Sequence, residues 1–143
     1  PTSGDTFVVS DSTSPTINTL TISSNNSIKS NYAGENDIVT LNITASEDIV
    51  TPTVVFKSNN VEVTNAVSYS GAGTSWTAQY TVSSDDTNGV ISFVLNIEDE
   101  AGNQLNGTNA TTDSSSVTKV GNVNETITTT TTTTEGNNIA NIT

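Results

Sequence analysis

Val90-Ile91-Ser92-Phe93-Val94-Leu95-Asn96-Ile97 puts Ile91, Phe93, Leu95 and Ile97 at every second position. A period of two is the pleat of an extended strand, so these four residues share one face and that face is expected to meet a core. Two other stretches read the same way. Val39, Leu41, Ile43 and Ala45 alternate with Thr40, Asn42 and Thr44, and Trp76, Ala78, Tyr80 and Val82 alternate with Thr77, Gln79 and Thr81. The phase sends Trp76 and Tyr80 inward, as core rather than as a platform for a sugar ring. Shorter strands are expected at residues 20–22, 54–56, 61–63, 67–69 and 117–120. Between them lie turn formers, among them Ala33-Gly34-Glu35-Asn36, Ser58-Asn59-Asn60, Gly71-Ala72-Gly73, Asp86-Thr87-Asn88-Gly89 and Ala101-Gly102-Asn103. Nothing has the 3.6-residue period of an amphipathic helix. Many short strands at this spacing predict an all-β fold, an antiparallel β-sandwich.

Composition limits how much of the chain is core. Of 143 residues, 31% are hydrophobic, against about 45–50% on a scale that also counts glycine. Thr, Ser and Asn make up the difference, because only 13% are charged. One domain of about 100 residues with extensions fits this length. A net charge of −12 with three basic residues cannot neutralise a phosphate track, which excludes nucleic acid, and it disfavours an anionic membrane. No apolar run is long enough to insert in a bilayer. Cys, His and Met are absent, which removes disulfides, the commonest metal ligand and the usual general base.

Six Asn-x-Ser/Thr sequons stand at Asn25, Asn42, Asn106, Asn109, Asn124 and Asn141. An unbroken hydroxyl run follows the sandwich: Thr128, Thr129, Thr130, Thr131, Thr132, Thr133 and Thr134. Together they predict covalent glycans, N-linked and O-linked, and an extracellular or cell-surface location. Asn42 falls on the polar face of its strand, where a glycan would project into solvent.

Three regions follow. Residues 1–16 hold a short apolar strand, Phe7, Val8 and Val9, a candidate donor strand, and a hinge ending at Ser14-Pro15-Thr16; residues 17–121 form the sandwich; residues 122–143 form an extended threonine-rich tail, itself a candidate inter-subunit or glycosylated strand. Strands outside their own sheet leave backbone N–H and C=O groups in need of an edge to pair with.

Residues from about 5 to 120 resemble the tandem immunoglobulin-like repeats of very large bacterial surface proteins and adhesins. The resemblance is carried by Asp11-Ser12-Thr13-Ser14-Pro15-Thr16, by Asp37-Ile38-Val39-Thr40-Leu41-Asn42-Ile43-Thr44-Ala45-Ser46-Glu47, and by Gly73-Thr74-Ser75-Trp76-Thr77-Ala78-Gln79-Tyr80. Asp86-Thr87-Asn88-Gly89-Val90-Ile91-Ser92-Phe93, Asp99-Glu100-Ala101-Gly102-Asn103 and Ala110-Thr111-Thr112-Asp113-Ser114-Ser115-Ser116-Val117-Thr118 continue it in order. It implies an immunoglobulin-like Greek key, and a spacer, adhesive stalk or fibre module. In such repeats the strand before the hinge closes a preceding domain. Here that strand is Phe7, Val8 and Val9, so an inter-subunit strand is expected, with copies joined head to tail by β-strand addition into a pilus-like filament. The alternative is a single adhesin repeat acting as spacer or glycan-binding module.

Acids are the remaining chemistry. Asp85-Asp86, Glu98-Asp99-Glu100 and Glu47-Asp48 cluster in sequence, and calcium takes oxygen ligands from several loops. No spaced calcium loop is present; Asp11, Asp99 and Glu100 are the candidates. Without His no activated-nucleophile triad forms, and no aromatic platform accompanies a carboxylate pair. The expectation is a structural protein and not an enzyme, with covalent glycans, no cofactor and no metal beyond these calcium candidates, and with further copies of itself as partner.

Overall fold

The structure, a computed structural model, describes residues 11–121. Residues 1–10 and 122–143, and with them Phe7, Val8, Val9, Asn124, Asn141 and the threonine run, lie outside the described residues. Among the described residues the chain is all-β: β1 (Ile17–Ser24), β2 (Tyr32–Ala33), β3 (Ile38–Ala45), β4 (Thr53–Ser58), β5 (Val61–Glu62), β6 (Ser68–Ala72), β7 (Ser75–Thr81), β8 (Gly89–Glu98), β9 (Gln104–Thr108) and β10 (Val117–Lys119).

They form two sheets. One has the order β2-β10-β8-β4-β5, with β9 also on β8; the other has the order β1-β3-β7-β6. Every pairing is antiparallel except β2 with β10, which is parallel and joins Tyr32 to Thr118 and Ala33 to Lys119. On one edge β8 takes two strands in turn, β10 beside its first residues and β9 beside its last, while β4 runs along the other. The inner faces meet in one core. Leu41, Ile43, Ala78 and Tyr80 of one sheet and Phe56, Ile91, Leu95 and Ile97 of the other are all buried in it. The rings of Phe56 and Tyr80 lie 4.8 Å apart, tilted by 41°. The Tyr80 hydroxyl has no hydrogen-bond partner there, and burial, reinforced by the negative Asp86, pushes its pKa up.

The expected alternations are present in β3, β7 and β8, with Trp76 half-buried at the end of its stripe. Asn59 and Asn60 both have positive φ, 52° and 68°, which suits the two-residue hairpin between β4 and β5. Two strands were not visible as hydrophobic patterns. β2 has only two residues, and β9 lies in a stretch the sequence reads simply as polar. The inward phase of β10 also differs from a plain apolar strand. Lys119 is only 4% exposed, and its Nζ donates to Asn88 Oδ1 at 2.8 Å.

Candidate functional site

β8 is ten residues long and spans roughly 33 Å from Gly89 to Glu98. This gives the sandwich two poles. At one, the hinge meets the loops after β3 and β8: Ser46 N–H donates to the Thr16 carbonyl at 2.8 Å, and Asn103 Nδ2 donates to the Asp11 carbonyl at 2.9 Å. The chain enters here. It leaves at the other pole, where Lys119 pairs with Gly89.

The entry pole is acidic. One carboxylate oxygen from each of Asp11, Glu47 and Asp99 falls within 4.8 Å of the others, brought from three separate segments. Glu98, Asp48 and Glu100 are close by in sequence, whereas Lys29, Lys57 and Lys119 all belong to segments nearer the exit pole. Glu100, a sequence candidate, stands outside the trio, and Glu47 takes its place. The sequence signal for Glu47 was its position two residues past β3, which ends at this pole.

Asp99 is 3% exposed and organises its own turn. Its Oδ1 accepts from Ala101 N–H at 2.9 Å and Asn103 N–H at 2.8 Å, and its Oδ2 accepts from Asn103 Nδ2 at 3.0 Å. The side-chain bond from Asn103 is the main cause that holds the Asp99 pKa below its ordinary value. Glu47 moves the opposite way: partial desolvation first, then the negative charges of Asp11, Asp99 and Asp48, raise its pKa. The trio offers oxygen ligands of the kind a hard divalent cation takes, although three N–H donors already occupy Asp99.

Opposite shifts give a signed pH dependence. A raised carboxylate pKa makes ionised Glu47 a cost to the fold, and that cost disappears as pH falls through its raised value. A lowered pKa makes ionised Asp99 a stabiliser whose contribution is lost as pH falls below the ordinary Asp range toward its folded value. Asp113, lowered by its bonds from Ser115, acts in the same sense as Asp99. Melting temperature is therefore expected to rise slightly on moderate acidification from neutral pH and then to fall. Thermal melts of Glu47→Gln should lose the initial rise and keep the later fall; a rise that persists in the variant would assign it elsewhere.

The described sequons all lie at the surface. Asn25, Asn42, Asn106 and Asn109 are each exposed. Asn25 Oδ1 accepts from Ile38 N–H at 2.7 Å, and Asn106 Nδ2 donates to Gln104 Oε1 at 3.2 Å. Asn42 sits mid-strand in β3, with Thr21 of β1 and Thr77 of β7 opposite it in register. A groove of ≈ 300 Å³ runs beside it, lined in part by Thr44, Ser70, Ser75 and Thr77.

Protein-family models, curated proteins and solved structures were compared with this chain, and none matches it.

Proposed function

We propose that this chain is a non-catalytic structural module of an extracellular, glycosylated filament, an immunoglobulin-like Greek-key sandwich whose copies join head to tail by β-strand addition. The observation that carries this reading is the in-line geometry, with entry at the Asp11 pole and exit at the Lys119 pole. Modules built this way string end to end without reversing direction, and a non-closing head-to-tail contact grows a fibre.

The β2–β10 pairing supports a role under mechanical tension. Thr118 N–H donates to the Asn31 carbonyl at 3.0 Å, and Val120 N–H donates to the Ala33 carbonyl at 2.9 Å. β2 is the second strand of the sandwich and β10 the last, and because they run parallel, tension along them loads both bonds in shear rather than peeling them singly. Exposed sequons on both sheets fit a surface meant to carry sugar. The absence of His and Cys from the chain fits a task without catalysis.

One observation favours the second reading, a spacer repeat of a long adhesin: β10 completes its own sheet, so the described sandwich needs no strand from outside to close it. The two readings part experimentally. Electron micrographs of the purified full chain are expected to show regular fibres. Val8→Pro removes one N–H and fixes φ in the strand that joins copies, so fibres should shorten or vanish while the circular dichroism of the sandwich is unchanged. A wild-type chain that stays monomeric at high concentration would favour the spacer, and fibres unaffected by Val8→Pro would exclude that strand as the connector.

A further inference from the structure

Strand addition needs an edge, and the edges of this sandwich are not alike. The outer side of β1 is closed by hydroxyls. Leu20 N–H donates to Thr112 Oγ1 and Ile22 N–H to Ser115 Oγ, each at 3.0 Å, and Thr112 N–H donates to the Leu20 carbonyl at 2.8 Å. β2 and β5 are two residues long and offer little ladder. β9 is irregular, with a register shift between Leu105 and Thr108 and positive φ at Gly107, and Asn106 lies on it. Bulges and very short strands are the devices by which soluble proteins blunt an edge.

β6 has neither. Its five residues run in unbroken register with β7 even through Gly71 at φ +136°, it contains no charge and no proline, and Ser68, Ser70, Gly71 and Ala72 are exposed. Among the described residues β7 is its single strand partner. We infer that β6 is the acceptor edge of this sandwich and that its occupant is residues 7–10 of a second copy. This rests on the strand-addition reading above and names the surface it uses.

Sequence and direction select that occupant. Beside β6 the two faces of the sheet differ: Tyr69, Val63 and Val67 pack partly buried against the core, while Ser68, Ser70 and Thr77 make a hydroxyl face. A strand of Phe7, Val8, Val9 and Ser10 places Phe7 and Val9 on one side to extend the core past Tyr69. The threonine run has no such apolar side. In a head-to-tail stack, the entry pole of one copy meets the exit pole of the next, and residues 1–10 immediately precede Asp11 at the entry pole. A strand reaching across that joint runs toward its own entry pole. It therefore lies antiparallel to the neighbour's β6, which runs from the exit side at Ser68 to the entry side at Ala72. Folded back on its own β6, the same segment would run parallel, the less stable pairing.

The chain contains no cysteine, so introduced thiols report the contact cleanly. Full-length Val8→Cys is combined in turn with Ser68→Cys, Ser70→Cys or Ala72→Cys, and with Gln104→Cys on β9 as the comparison edge. After oxidation, at least one β6 combination is expected to lose its monomer band to a covalent ladder on non-reducing gels, since a disulfide needs Cα atoms within about 7 Å. The Gln104→Cys combination should remain monomeric. A ladder through Gln104→Cys alone would overturn β6 as acceptor while leaving strand addition standing. A closed monomer from a β6 combination would mean that the strand pairs with its own chain. Fibres in the micrograph without any crosslink would assign the joint to another segment, and absence of both fibres and crosslinks would remove the strand-addition reading together with this one.

Discussion

Phe56→Ala is expected to lower the unfolding free energy by about 3–5 kcal/mol. Phe56 is 1% exposed at the middle of β4, opposite Phe93, with its ring against Tyr80 of the facing sheet. It is thus one of the side chains through which the two sheets touch. Truncation removes its transfer free energy and leaves a hole that neighbouring strands, held by ladders on both sides, cannot close. A domain of this size has a stability of about 5–15 kcal/mol in total, so the variant would be partly unfolded at modest denaturant. The adjacent Val55→Ala is the control, because Val55 is 43% exposed on the outer face. Its change should stay within about 0.5 kcal/mol. Chemical denaturation followed by Trp76 fluorescence measures both. Equal losses at the two positions would mean that the alternation of β4 does not decide what is buried.

Gly71→Ala is the second large effect, and its cause lies in the backbone. Gly71 sits in β6 with φ +136°, and a Cβ there would run into the Ser75 carbonyl oxygen and stand 2.7 Å from Trp76 Cα. Both obstacles are main chain of the partner strand and cannot rotate away. Left-handed strain and overpacking together are expected to cost about 3 kcal/mol and to pull β6 off β7. Gly107→Ala separates the two causes. Gly107 has φ +83° with nothing within 4 Å of the added Cβ, so strain alone, about 1–2 kcal/mol, should appear. Comparable melting temperatures for the two variants would show that the β6–β7 contact gives way more easily than its geometry implies. If β6 is the acceptor edge, Gly71→Ala should also reduce fibre length.

The alternation in 90–97 and 38–45 was enough to assign the central strands and their buried faces, because a residue buried on one side of a pleat leaves a period of two. β9 escaped that reading for a physical reason. Among the described residues it is a bulged edge strand with one partner and mixed exposure, so its sequence, Gln104 to Thr108, carries no buried stripe. Lys119 escaped for the opposite reason: a charged residue at an inward position contradicts the pattern unless a polar partner is at hand, and Asn88, 31 positions away, supplies it. The acidic site was half legible. Asp11 and Asp99 stand out in acidic or hinge stretches, but that Glu47 rather than Glu100 joins them depends on which loops end at the same pole.

By itself, the sequence determined that the described chain is built from short strands without a helix, which residues face inward along the longest of them, and that the chain is acidic and rich in Asn-x-Ser/Thr sites. Those are local properties, fixed by side-chain type and the two-residue pleat. Only the tertiary structure decided that the described chain enters and leaves at opposite ends, that among the described residues β1 is sealed while β6 keeps a free edge, and that three carboxylates from distant segments converge. Strand order and edge exposure are set by pairing between residues far apart in the chain, and no local pattern carries that information.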